Sequence, residues 1–290
     1  MKLLITGHHG QVGQALIQQA AAHNFQIAAY DRSELDIANR AAVLQAVERE
    51  QPAVIINAAA YTAVDKAESE PAAAYAANAE GAENLAHAAH ATGAAILHIS
   101  TDYVFNGQTE RPYRETDAPD PQTIYGQSKL AGEQAVQAAC PHHIILRTAW
   151  VFGEHGHNFV KTMLRLGRER DSLGIVADQS GAPSYAGHIA AALLHIAGRT
   201  QTKNCPYGLY HFSGSPYTTW HGFAAEIFHR AAEQGILPSV PELRAITTAD
   251  YPTPARRPAD SRLDCSKIHT AFGIAPSDWQ SALGNLADYL

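Results

Sequence analysis

Tyr125 and Lys129 stand four residues apart in Tyr125-Gly126-Gln127-Ser128-Lys129, a spacing that puts both side chains on one face of a helix. A free phenol titrates at about 10, too high for useful acid–base work at neutral pH. A cation beside it favours the phenolate and brings the phenol towards the working range of a general acid. Thr101 lies in Ser100-Thr101-Asp102-Tyr103, just past an apolar run. That places it at the C-terminal end of a strand, where open α/β sheets bind ligands. Its hydroxyl can hold a substrate carbonyl beside the phenol. Ser100 competes for this role, but strand neighbours point to opposite faces, so only one of the two can serve.

A second motif, Thr6-Gly7-His8-His9-Gly10-Gln11-Val12-Gly13, separates an apolar run from a helical pattern. Glycines here allow a tight turn and close approach to a pyrophosphate, and the helix N-terminus offers unpaired N–H groups. The spacing is GxxGxxG, not GxGxxG, and its weight comes from its place at the first strand-to-helix turn. Asp31 follows the next apolar run. Its carboxylate can accept bonds from ribose hydroxyls, which favours NAD, whereas the adjacent Arg32 can pair with a 2′-phosphate, which favours NADP. Asp36 and Ile37 either cap the following helix or contact adenine. Small residues at Asn57-Ala58-Ala59-Ala60 let a flat cofactor lie against the strand end.

These residues need a scaffold, and the hydrophobic periodicity supplies one. Strands are expected at Lys2–Thr6, Phe25–Tyr30, Ala53–Ile56, Ala95–Ile99 and His143–Arg147. They alternate with helices at Gln11–His23, Ala41–Glu48, Ala72–Ala91 and Ile124–Ala139. Alternation at this spacing predicts a Rossmann-type, doubly wound parallel sheet. Residues 1–150 form the dinucleotide-binding domain, with 186–198 returning to it as a sheet-covering helix. Residues 151–290 form mainly a smaller, mixed substrate-binding lobe. That lobe is expected to hold helices at Asn158–Gly167, Thr219–Gln234, Ser266–Phe272 and Ser277–Tyr289, and strands at Ser172–Ala177 and Tyr207–Ser213. The three prolines of Tyr251–Pro258 exclude regular helix or central strand there.

Composition narrows the function. A length of 290 residues with 46% hydrophobic content supports a sizeable core. A net charge of −7 argues against general nucleic-acid binding. No apolar run approaches the roughly 20 residues of a membrane span. Three scattered cysteines without CxxC fit a reduced, cytoplasmic protein. The 16 histidines include His8-His9, His142-His143 and His155-x-His157, but no Cys or HExxH completes a metal set, so no metal is expected.

The whole set resembles the extended short-chain dehydrogenase/reductase family. The similarity runs through NAAAYTAVDKAE at 57–68, STDYVFNG at 100–107, YGQSKLAGE at 125–133 and RTAWVFG at 147–153. It continues through DQSGAPSY at 178–185, TTW at 218–220 and YPTPARRPADSRLD at 251–264. The resemblance implies NADPH- or NADH-dependent reduction of the 4-keto group of a dTDP-linked 4-keto-6-deoxysugar. It gives Tyr125, Lys129 and Thr101 the catalytic roles, with Tyr125 as general acid and Lys129 supporting its phenolate. Gly7, Gly10, Gln11 and Val12 would meet the pyrophosphate. Asp36, Ile37, Ala60, Tyr61 and Thr62 would line the rest of the cofactor site, which Tyr125 and Lys129 complete. Thr101, Asp102 and Trp150 would meet substrate, and Arg257 its diphosphate.

Some members of the family join as dimers through a metal bound by carboxylates. The matching positions here carry Ala15 and Gly187, so a monomer or weak homodimer is expected. Related dehydratases carry an Asp-Glu pair after the threonine, whereas Asp102 here is followed by Tyr103, which argues against dehydration. Two rival readings are a related nucleotide-sugar epimerase and a non-catalytic, NADP-binding regulatory subunit similar to the methionine adenosyltransferase beta subunit.

Overall fold

Leu3, Leu4 and Ile5 in the first strand, and Val54, Ile55 and Ile56 in the third, have no solvent exposure. A strand covered on both faces is expected to be apolar throughout rather than alternating. In the computed structural model, which describes residues 1–202 and 204–290, these runs are the centre of a six-stranded sheet. From one edge its strands are Gly208–His211, His143–Thr148, Ala95–Thr101, Val54–Asn57, Lys2–Thr6 and Gln26–Tyr30. All five pairings are parallel. The chain order reverses at Lys2–Thr6, the switch point at which such sheets open a crevice beyond their strand ends.

Helices cover both faces. Leu16 of Gln11–Ala22 and Ile189 and Leu193 of Ala186–Arg199 pack on one face with Leu3 and Ile5. Leu85 and Ala89 of Gly81–Thr92 and Val136 of Ile124–Ala139 pack on the other with Leu4 and Ile55. A separate cluster joins Phe159–Glu169, Trp220–Glu233 and the C-terminal residues through Val160, Leu164, Phe223, Phe228, Trp279 and Tyr289.

Several expected elements differ. The Ala-rich helix is three pieces: Pro71–Tyr75, a π-helical turn at Ala76–Glu80, and Gly81–Thr92. The strand expected in the second lobe instead completes the main sheet as Gly208–His211. Ser277–Tyr289 is not one helix; it holds Trp279–Ala282 and a short 3₁₀ turn, Leu286–Tyr289, on either side of Gly284. Glu242–Ile246, unassigned from sequence, pairs in parallel with Ser172–Val176.

The helix Ile124–Ala139 is held unusually close to its neighbours. A Cβ on Gly126 would lie 2.2 Å from the Tyr103 carbonyl oxygen, and one on Gly132 would lie 2.0 Å from the Asn78 carbonyl oxygen. No side chain fits at either point. Thr123 caps the helix, its Oγ1 accepting from the Gly126 N–H at 3.0 Å. A buried ion pair braces the next stretch: Arg147 donates to Glu133 at 2.8 and 2.6 Å, and Ser100 Oγ donates to the same carboxylate at 2.5 Å.

Candidate active site

The strand ends and the Ile124–Ala139 helix open on one cleft of about 630 Å³. Tyr125, Lys129 and Thr101 all line it, together with Gly7, Gly10, Gln11, Val12, Asp31, Arg32, Asp36, Ile37, Ala60, Tyr61, Thr62, Asp102 and Trp150. Residues from five strand ends therefore converge as expected, with one exception. Arg257 lines a neighbouring groove instead. Its guanidinium is already engaged, ion-paired with Asp65 and donating to the Tyr103 hydroxyl at 3.0 Å. A partner 192 positions away in the chain is invisible to local sequence patterns.

The cofactor end fits a dinucleotide. Gly7 has φ +73°, and a Cβ there would lie 2.6 Å from the Ala59 nitrogen, so the turn requires glycine. Gly10 is the N-cap of Gln11–Ala22 and supplies no side-chain cap, which leaves the helix N–H groups open to a phosphate. Asp36 does not cap the following helix; Asn39 does, through the Ala42 N–H, and Asp36 instead accepts from the Ala38 N–H. Ile37 is buried against the Gly81–Thr92 helix, where it leaves no room for a side chain at Gly81.

Near Asp31, His9 Nε2 lies 3.0 Å from the Asp31 carboxylate and His8 Nε2 lies 3.1 Å from Glu34. The fold thus adds Asp31 to His8 and His9, with potential ligand atoms of all three within 4.8 Å of one another. Each of these side chains already has a partner inside the turn.

The catalytic face departs from expectation in one respect. Lys129 Nζ donates to the Ile99 carbonyl oxygen at 2.7 Å and approaches His98 Nε2 at 3.4 Å. Its amine is bonded to the strand, so burial dominates the Tyr125 phenol and raises it above its ordinary value. The adjacent Thr101 hydroxyl works in the opposite direction. Burial also lowers Lys129 to about 8. Ser100 and Thr101 both line the cleft, but the Ser100 hydroxyl is committed to Glu133, which leaves Thr101 as the hydroxyl beside Tyr125. Tyr103 stands edge-on to Tyr125 with ring centroids 5.4 Å apart.

Asp102 is fully buried, and burial raises its carboxyl to about 6. Thr101 Oγ1 donates to one of its oxygens at 2.9 Å, while Oδ2 has no partner. A raised carboxyl is a stability cost that disappears as pH falls. Below about pH 3 the group is protonated both folded and unfolded, and the cost grows as pH rises through 4 towards 6. Asp102→Asn is therefore expected to stabilise the fold at pH 8 by up to about 3 kcal/mol and to have no such effect at pH 3. Urea midpoints at both pH values check this; equal gains at both would refute it.

Trp150 takes φ +49° and stacks on Trp220, with centroids 3.6 Å apart and planes within 12°. Gly181 lies against the indole, where a Cβ would meet its ring at 2.4 Å. Trp150 is thus a packed residue with one edge on the cleft, rather than a free platform.

Sequence reasoning singled out neither Asn78 nor His98 as site residues. Asn78, on the π-helical turn, accepts from the Tyr61 N–H and donates to the Tyr61 carbonyl oxygen and to Ser128, tying the cofactor strand end to the catalytic helix. A buried Asn in an Ala-rich run was the available signal.

Comparison with known proteins agrees with this fold. A family model described as the RmlD substrate binding domain matches residues 1–290. The dTDP-4-dehydrorhamnose reductase of Aggregatibacter actinomycetemcomitans is 51% identical over 290 residues, covering 99% of each chain. The enzyme of that name from Escherichia coli K12 is 43% identical over 294 residues, covering 100% of this chain and 98% of its own. The crystal structure of a dTDP-4-dehydrorhamnose reductase from Clostridium acetobutylicum superposes with a TM-score of 0.91 at 40% identity, covering 98% of this chain and 97% of its own. A Bacillus anthracis dTDP-4-dehydrorhamnose reductase in complex with NADP gives 0.90 at 37% identity, with the same coverage of 98% and 97%.

Proposed function

The chain belongs to the RmlD substrate binding domain family, and we propose that it reduces the 4-keto group of dTDP-4-dehydro-6-deoxy-L-mannose, giving dTDP-L-rhamnose, with Tyr125 as general acid. It is an NAD(P)H-dependent oxidoreductase acting on a nucleotide sugar. The observation that carries the residue assignment is the convergence of Thr101, Tyr125 and Lys129 on one cleft with the open glycine turn.

Bound NAD(P)H supplies the hydride for the carbonyl carbon. The chain's own groups do the rest. Thr101 orients the carbonyl oxygen beside the phenol. Tyr125, protonated because its burial disfavours the phenolate, gives its hydroxyl proton to the oxygen as alkoxide character develops. Lys129 steadies the phenolate that remains. Asp102 offers its unpartnered oxygen to a sugar hydroxyl, and the edge of Trp150 packs against the ring. Tyr103 is no acid for dehydration, since its hydroxyl is bonded to Arg257 and burial raises it.

The direct test follows the nicotinamide absorbance with this ketosugar nucleotide, using NADPH and then NADH. Oxidation of either supports the assignment, and oxidation of neither overturns it. Cofactor choice turns on Asp31, whose second oxygen is held only by His9. Asp31→Ser removes a charge that repels a 2′-phosphate. We expect NADPH binding relative to NADH to tighten on the order of tenfold, about 1.4 kcal/mol. Dissociation constants from fluorescence titration check this, and an unchanged ratio would reject the role.

We further propose residues 1–150 with 186–198 as the dinucleotide-binding domain and 151–290 as mainly the substrate lobe. A cytoplasmic monomer or weak homodimer that binds neither nucleic acid nor membrane completes the proposal. It is supported by the acidic charge and three unpaired cysteines, and among the described residues no helix is long and apolar enough to cross a membrane.

A further inference from the structure

Behind Lys129 runs a buried chain of polar groups that the reaction above does not use. It begins at a backbone donor whose direction cannot change. The Ala59 N–H donates to Asn57 Oδ1 at 3.1 Å, and Thr6 Oγ1 donates to the same oxygen at 2.8 Å. Because a backbone N–H can only donate, the amide of Asn57 has its oxygen on that side. Its Nδ2 therefore faces His98, 3.0 Å from Nδ1. An amide nitrogen can only donate, so His98 Nδ1 accepts. A neutral imidazole has one N–H, and here it must be on Nε2. His98 is 1% exposed, and burial holds it well below its ordinary value, so the ring is neutral.

That Nε2–H points at Lys129 Nζ, 3.4 Å away. An ammonium has three donors and no acceptor, so it cannot satisfy an N–H. An amine can: it accepts from His98 and donates to the Ile99 carbonyl oxygen. We propose that the Ala59–Asn57–His98 chain fixes His98 in its Nε2–H tautomer and aims that N–H at Lys129, making His98 a positioning residue that holds down the lysine's proton affinity.

The other charged and titratable groups around the amine are few. On its own helix are Tyr125 and Glu133. From the strand ends come Asp102, Tyr103 and Arg147, the last neutralising Glu133 at 2.6 Å. Glu133 favours the ammonium, but burial outweighs it. From the first and third strands the neutral Thr6 and Asn57 contribute. With its proton affinity lowered to about 8, Lys129 stands near the boundary between ammonium and amine, and negative charge on Tyr125 favours its ammonium form. This deepens the role given to Lys129 above and rests on it.

The tautomer is measurable without turnover. In cofactor-free protein labelled with ¹⁵N-histidine, the long-range ¹⁵N–¹H correlation pattern of His98, assigned by its loss in His98→Gln, is expected to be that of an Nε2–H imidazole. An Nδ1–H pattern or an imidazolium pattern at pH 7 overturns the proposal, whether or not the enzyme reduces a ketosugar. In His98→Gln the side chain can turn an amide oxygen to the amine. The titration of Lys129, followed by ¹³C-lysine NMR and assigned by its loss in Lys129→Arg, is expected to move up by about one pH unit or more. The limb of the kcat/KM profile that reports it is expected to move with it. A variant that keeps the wild-type melting temperature and an unmoved lysine titration would also overturn the proposal.

Discussion

Tyr125→Phe is expected to lower kcat by about 10³-fold while leaving NADPH affinity within a few-fold of wild type. The phenylalanine ring keeps the shape of the buried side chain and its edge-on contact with Tyr103. It also keeps the helix cap, which depends on Thr123 and the Gly126 backbone. What disappears is the phenol hydroxyl placed beside Thr101 on the cleft wall. General acid–base groups typically contribute 10² to 10⁴ in rate, and this acid has no substitute of matching geometry. Asp102 is the nearest alternative, yet Thr101 already occupies one of its oxygens. Steady-state kinetics with fluorescence titration of the cofactor decide the matter. Retention of a tenth or more of the activity would remove Tyr125 from its role. A comparable loss of cofactor affinity would recast it as a binding residue.

Arg147→Met should be the most destabilising of the substitutions considered, by about 3–5 kcal/mol. Both partners of the Arg147–Glu133 pair are only 2% exposed at the side chain. Removing the guanidinium strands a carboxylate in the core with Ser100 as its remaining partner. It also removes the cation that lies 5.0 Å over the Phe105 ring. Replacing both charges, as Arg147→Met with Glu133→Leu, is expected to recover most of the loss, because a buried ion pair itself contributes little over apolar packing. Denaturant melts of the single and double variants test this. A single variant within about 1 kcal/mol of wild type, or a double variant no better than the single, contradicts the account.

The legible parts of the site were those set by local spacing. The helix Ile124–Ala139 has the bounds predicted for it, with a threonine cap at its start. The first glycine turn and the post-strand Thr101 are equally local features. The illegible parts depend on partners remote in the chain. Arg257 looked like a free cation until Asp65 was brought to it. Lys129 was expected to act directly on the phenol, but Ile99 and His98 on the adjacent strand hold its amine. Glu242–Ile246 carries charged residues on a short edge strand, so its pattern alone could not distinguish it from a loop. The closing segment has helical periodicity but is broken at Gly284.

The two glycine contacts of the catalytic helix bear on how the scaffold tolerates change. With carbonyl oxygens occupying the space of any side chain at positions 126 and 132, the helix has no room to slide or tilt. A library aimed at new ketosugars that randomises this helix should return mostly inactive clones. Around the sugar end, Trp150 stacks on Trp220 and Trp220 bonds Gln179 through side chains, although 180–181 and 218–219 also pair through their backbones. The side-chain contacts can repack, so altered sugar selectivity should arise there, with the acid and its support left in place.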